Sequence, residues 1–255
     1  MPGAGMTRAR TVLRGIADYL LPPACAGCGG SAGADIRAGF GPVCGNCRLG
    51  LPQVPFPLCS RCGAPLGTGE APSCMECVEW PDGLEHAAAV CLLESPAREL
   101  VHALKYQGWR DVGRFMGTEM ARRAGAAVRR TDFVVPVPTS SRNIRRRGYN
   151  QAAVIASALS TAMGIPLLEC LRRQRQAGTQ TALNPMQRRA NVSDAFVMVE
   201  GVAGMLEGRR LLLVDDVITT GATALAATGV LALGNPRSIV AYAFARTVPI
   251  SQQAT

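Results

Sequence analysis

The sequence predicts an α/β fold, a mostly parallel sheet with flanking helices, preceded by a small metal-stabilised module. Three observations lead there. Eight of the ten cysteines fall between Cys25 and Cys77. From Ala87 onward, apolar strand-like runs alternate with alanine-rich helical stretches. Between Leu211 and Thr223 an apolar run, two acids and a hydroxyl-rich turn stand directly before one of those helical stretches.

A chain of 255 residues with 48% hydrophobic side chains accommodates a small module joined to a mid-sized domain, and wholesale disorder is excluded. Residues 1–86 carry 6 basic and 7 acidic side chains and residues 87–255 carry 21 and 11, so the basic partner surface is C-terminal. Counting two four-thiolate zinc sites of formal charge −2 each lowers the net charge from +9 to about +5. That is modest for a nucleic-acid binder. Residues 11–21 are interrupted by Arg14 and Asp18 and precede no small-residue cleavage site, and nothing else approaches a membrane span. Val12, Leu13, Ile16 and Leu20 instead share one face of a short helix. We therefore expect a cytoplasmic protein with an amphipathic helix in residues 1–21, a cysteine module in 22–86 and an α/β domain in 87–255.

The cysteines form four C-x-x-C pairs: Cys25 and Cys28, Cys44 and Cys47, Cys59 and Cys62, Cys74 and Cys77. A C-x-x-C turn directs two sulfurs at one ion, and two such turns complete a tetrahedron, so two structural Zn²⁺ ions are expected. Reduced thiols in the cytoplasm favour metal over disulfides, and the regular spacing disfavours an iron-sulfur cluster. Residues 22–80 are rich in Gly and Pro and poor in large apolar side chains. Zinc, at about 10–16 kcal/mol of apparent binding energy per structural site, offsets the chain entropy of such a segment. Consecutive pairing puts Cys25, Cys28, Cys44 and Cys47 on one ion; interleaved pairing would join the first pair to the third. Consecutive pairing is favoured. Cys91 and Cys170 lie in apolar surroundings and read as core.

Strands are expected at residues 88–93, 133–137, 167–171, 196–199, 211–214 and 239–244, and helices at 99–106, 113–128, 151–163 and 223–233. Ligands of such a fold bind at the carboxyl ends of the strands. There, after residues 211–214, stand Asp215, Asp216, Val217, Thr219, Thr220, Gly221, Ala222 and Thr223. Backbone N–H groups at a helix start and the threonine hydroxyls can surround a phosphate, with Gly221 permitting close approach. The two carboxylates could accept hydrogen bonds from vicinal ribose hydroxyls.

Two further segments are basic. Residues 138–151 read as a loop holding Arg142, Arg145, Arg146 and Arg147 beside Gly148, and clustered guanidinium groups suit a pyrophosphate. Residues 172–191, polar, basic and glycine-containing, with Arg188, Arg189 and Asn191, read as a mobile loop. Lys105, the single lysine, is a candidate ligand contact, while His86 and His102 read as structural.

Residues 211–223 resemble the PRPP-binding signature of type I phosphoribosyltransferases, where PRPP is 5-phosphoribosyl-1-pyrophosphate. Ala222 departs from it, standing where many members carry a second glycine. Together with the C-x-x-C module, Leu104-Lys105-Tyr106, the Val-Pro-Val-Pro run ending at Pro138, Arg147-Gly-Tyr-Asn-Gln151 and Arg189-Ala-Asn191, it resembles the ComF (competence protein F) family. The resemblance implies an N-terminal double zinc ribbon, a type I phosphoribosyltransferase-like domain, and a part in DNA uptake, natural transformation or use of external DNA. It implies that Asp215 and Asp216 hold the ribose and that Thr219 to Thr223 hold the 5′-phosphate, and Val217, Arg142, Arg146 and Lys105 are the further expected PRPP contacts. Catalysis is expected from Asp215, Asp216 and Arg147, with Mg²⁺ bridging pyrophosphate and ribose oxygens. The other reading is a non-catalytic nucleotide or single-stranded DNA binder whose zinc ribbons dock a competence or DNA-processing protein.

Overall fold

The computed structural model describes residues 23–37, 41–66, 74–78, 80–174 and 195–247. The expected N-terminal helix and most of the expected mobile loop, including Arg188, Arg189 and Asn191, lie outside them. Two short helices, α1 (Gly33–Arg37) and α2 (Gly45–Leu49), belong to the cysteine module. The rest runs β1 (His86–Leu92), α3 (Ala97–Tyr106), α4 (Arg110–Arg123), α5 (Ala126–Arg129), β2 (Phe133–Pro136), α6 (Ser141–Arg147), α7 (Gln151–Met163), β3 (Leu171–Arg173), β4 (Phe196–Met198), α8 (Ala203–Leu206), β5 (Arg210–Ile218), α9 (Ala222–Ala232) and β6 (Ser238–Arg246).

Four strands form one parallel sheet in the order β1-β6-β5-β2. Continuous apolar runs fit strands covered on both faces. The two-residue period sorts their side chains into two cores. Leu212, Val214, Val240, Tyr242 and Phe244 join Leu100, Met116, Met120, Ile155 and Leu159 on the face of α3, α4 and α7. Leu211, Leu213, Ile239, Ala241 and Ala243 join Ala227, Leu231, Leu206 and Phe196 on the face of α9. Helices α4 and α7 touch through Gly117, where a Cβ would stand 2.3 Å from the Ile155 carbonyl oxygen. Only glycine permits that approach.

Four expectations need correction. Residues 167–171 and 196–199 are not strands of the parallel sheet. Leu167 makes one parallel bridge to Val134, and the chain then forms the antiparallel pair β3–β4. Only Leu171 and Phe196 of that pair are well buried, so it lies as a short flap on one core. The helix expected at 113–128 breaks at Gly125, where Arg129 donates to the carbonyls of Ala124 and Ala121, both at 3.0 Å, and satisfies the end of α4. The expected loop at 138–151 contains α6, which is N-capped by Ser140 accepting from the Asn143 N–H at 3.2 Å. Three arginines in its last turn face the negative end of the helix dipole. Finally, β5 continues to Ile218, so the two acids lie within a strand rather than after one.

The cysteine module is divided: its second half keeps a small cluster of Cys62, Ala64 and Cys77 with Cys59, Cys74 and Trp80 around it, while its first half has no core of its own. Cys25, Ala32, Val43, Cys47 and Leu51 belong to the same cluster as the α4–α7 layer. Cys91 and Cys170 are fully buried; Cys91 Sγ donates to the Phe244 carbonyl at 3.3 Å. His86 Nδ1 lies 2.7 Å from the Ser60 carbonyl oxygen and His102 packs against Tyr106, each a structural position.

Candidate functional site

Within β5, successive residues face opposite sides of the sheet. Asp215 therefore lines a cavity beneath the α9 turn with Val217, Thr219, Gly221 and Thr223. Asp216, 6% exposed, turns to the other face and meets Lys105 from α3, with Nζ 3.0 Å from Oδ2. The two remain linked by the Asp216 N–H, which donates to Asp215 Oδ1 at 2.8 Å. Removal of solvent from its carboxyl, then the charge of Asp216, push Asp215 up to about 8.

The turn ends on Gly221, which N-caps α9 at φ +79° and accepts from the Leu225 N–H at 2.9 Å. A residue with a side chain rarely adopts that φ. The Ala222 N–H reaches only the Thr220 hydroxyl, at 3.4 Å. Thr219, Thr220 and Thr223 are exposed around the free N–H end of an eleven-residue helix, an arrangement that favours a phosphate.

Helix α3 joins this turn to the basic helix. Beside Lys105, Tyr106 is 57% exposed, with the Arg146 and Arg147 guanidinium groups 5.2 and 5.1 Å from its ring centre. The following segment is pinned from two sides. Buried Tyr149 donates its hydroxyl to the Leu104 carbonyl, and Asn150 Nδ2 donates to the Val137 carbonyl at 3.0 Å. Arg110 lies 4.6 Å over the Tyr149 ring. The structure thus brings Asp216, Lys105, Arg146 and Arg147 together along α3, while Arg142 is exposed at the other end of α6.

The eight clustered cysteines group consecutively: Cys25, Cys28, Cys44 and Cys47 in one set, Cys59, Cys62, Cys74 and Cys77 in the other, each with sulfurs within 4.8 Å of one another. The Sγ separations of 3.8 Å for Cys28–Cys44, 3.7 Å for Cys59–Cys77 and 3.6 Å for Cys62–Cys74 match the edge of a tetrahedron with bonds of about 2.3 Å, which is zinc-thiolate geometry. They are far too long for disulfides. Burial opposes ionisation of Cys25, but N–H groups of Cys44, Cys28 and Gly27 outweigh it and hold the thiol at about 7. The donor sets fit two structural zinc ions.

Two residues here escaped the sequence reading. Trp80, one of two tryptophans and three positions beyond Cys77, packs against both the second cysteine set and the α9 core. Arg246 ends an otherwise apolar strand, is 2% exposed, and donates to the Cys62 carbonyl at 2.8 Å. Burial disfavours its charge, whereas Cys62, Glu76, Cys74 and Cys59 favour it. Among the described residues, no helix is long and apolar enough to cross a membrane.

Two stability experiments probe this geometry. The unfolded chain releases the Asp215 proton near pH 4, whereas the folded protein holds it until about 8. Folding stability contributed by this residue therefore falls as pH rises between those values. The melting-temperature advantage of Asp215→Asn over the parent should widen from pH 6 to 8 and level off above 9. In a double-mutant cycle, Lys105→Met should cost about 2 kcal/mol by leaving Asp216 buried without its partner, and adding Asp216→Asn should restore most of that. A purely additive cycle would contradict the pairing.

Comparison with known proteins agrees with this architecture. Residues 16–78 match the double zinc ribbon domain. The DNA utilization protein YhgH of Salmonella typhi is 27% identical over 212 residues, 81% of this chain and 91% of that one. Competence protein F of Haemophilus influenzae is 30% identical over 188 residues, 71% of this chain and 80% of that one. Adenine phosphoribosyltransferase from Leishmania tarentolae overlaps 58% of this chain and 60% of its own at 15% identity and a TM-score of 0.32, too partial a match to bear on chemistry. With paired cysteine sites ahead of a parallel sheet, and 30% identity across most of competence protein F, this chain belongs to the competence protein F family.

Proposed function

We propose that this chain binds PRPP, or a related phosphoribosyl compound, at the end of β5, and that it serves DNA uptake or the use of external DNA, as the names of its relatives indicate of them. The observation that carries the reading is the conjunction, in one short stretch, of a carboxyl facing the cavity and a threonine-rich turn closed by Gly221 at the start of α9. Thr219, Thr220, Thr223 and the free N–H groups of α9 would hold the 5′-phosphate. Asp215 would accept from the ribose hydroxyls, while Lys105 keeps Asp216 fixed at the strand end behind it.

In the transferase form of this reading, the bond from ribose C1 to pyrophosphate oxygen breaks with its electron pair leaving on pyrophosphate. A nitrogen lone pair then forms the new bond at C1, and the proton carried by that nitrogen passes to the released pyrophosphate or to water. Arg146 and Arg147, fixed against Tyr106, would steady the leaving group, and Arg142 would reach it from the start of α6. Mg²⁺ would supply neutralising charge to the pyrophosphate, and a cation bound nearby would favour the ionised form of Asp215.

A second reading has its own observation. Exposed Tyr106 with two guanidinium groups beside it puts an aromatic ring on a basic surface, the combination that holds single-stranded nucleic acid. Calorimetry with PRPP and Mg²⁺, followed by pyrophosphate assay with a panel of nitrogenous bases, separates the two. The first reading predicts heat from PRPP that is lost in Thr220→Asp, and pyrophosphate release if the protein is a transferase. No heat from PRPP, together with oligonucleotide binding that weakens steeply with salt, would favour the second.

A further inference from the structure

We propose that Trp80 is a positioning residue for the phosphate turn, and that through it the second cysteine site is energetically coupled to occupancy of that turn. This rests on the phosphate reading above, and on a contact which that reading does not use. A Cβ built on Gly221 would lie 2.4 Å from Trp80 Cζ2 and 2.9 Å from Cη2. The indole therefore closes the ribbon side of the turn at the residue that starts α9, and the turn has no room to relax toward it. Backbone N–H groups bind a phosphate only when they converge, so a wall at Gly221 fixes the geometry on which affinity depends.

Trp80 is itself held by the metal module. Its backbone N–H donates to the Cys77 carbonyl at 3.1 Å. Arg61, inside the Cys59-Ser-Arg-Cys62 turn, donates to the carbonyls of Cys77 at 3.1 Å and of Trp80 and Pro81 at 2.8 Å each. One arginine thus ties together the two halves of the second site and the backbone that carries the indole. Arg246 binds the same module at Cys62, and its strand position pairs with Ile218, the last residue before the turn. Cys59, Cys62, Cys74 and Cys77, if joined on one zinc ion, would hold Arg61 and Trp80 in register, and a phosphate ordering the turn would favour the same arrangement. Such coupling is reciprocal: if the site's zinc strengthens ligand binding, ligand must strengthen zinc binding by the same factor.

The test uses the zinc-loaded full chain with Trp109→Phe, so that emission reports Trp80 alone. Ribose 5-phosphate should shift that emission with the midpoint found by calorimetry. Trp80→Ala should weaken binding about tenfold, and Trp80→Phe should recover most of it. In equilibrium competition with a zinc chelator, saturating ribose 5-phosphate should protect one of the two zinc ions when Trp80 is present and neither in Trp80→Ala. Should Trp80→Ala lose its zinc or fold poorly, Trp80→Phe and chelator competition in the Trp109→Phe protein decide. Undiminished affinity in a well-folded Trp80→Ala, or ligand-independent zinc competition with Trp80 present, overturns the coupling and leaves the phosphate site standing. If protein retaining Trp80 takes up no ribose 5-phosphate at all, the phosphate site and the coupling both fall.

Discussion

The pairing of β5 with β6 runs on through Asp215↔Ala243 and Val217↔Ala245 to Ile218↔Arg246, and the arrangement of the site depends on that extra length. Had the strand stopped at Val214, the two acids would share a flexible turn and could approach a ligand side by side. Held in extended backbone, they are driven to opposite faces. Asp215 is left in the cavity with its carboxyl pushed toward neutrality, and Asp216 is buried deeply enough to require Lys105. The threonine turn then begins at a fixed point, directly between the last paired residues of the sheet and the first turn of α9.

The metal module is part of the same construction. The first cysteine set contributes Cys25 and Cys47 to the core beneath α4, while the second adjoins the turn through Trp80 and β6 through Arg246. A segment with so few large side chains cannot bury enough surface to order itself. It gains order from thiolate coordination and from leaning on the sheet domain. The cost is a buried arginine facing a cluster of sulfurs, which is tolerable because a four-thiolate zinc site is anionic.

Much of this was legible in the residues. The C-x-x-C spacing implied four-sulfur sites, because metal geometry constrains ligands close in sequence. The apolar run of β5 followed by acids, threonines and Gly221 implied a ligand turn, since strand, charge and helix start lie within thirteen residues. What was hidden lay in contacts between distant segments. No local pattern reveals that residue 80 touches residue 221, or that Lys105 crosses to Asp216. Helix α6 was missed because a run of arginines with a glycine reads as loop, although Ser140 and Gly148 supply its two caps. The β3–β4 pair was misassigned because a short apolar run carries no mark of parallel or antiparallel partnership.

The central claim is that one continuous stretch, Asp215 to Thr223, receives a sugar phosphate. A crystal structure of the zinc-loaded protein with PRPP and Mg²⁺ tests it most directly. The account predicts the 5′-phosphate within hydrogen-bond distance of the Thr220–Thr223 backbone and hydroxyl groups, and the ribose hydroxyls facing Asp215. A ligand seated instead against Tyr106 and the α6 arginines, with the turn left empty, would contradict it.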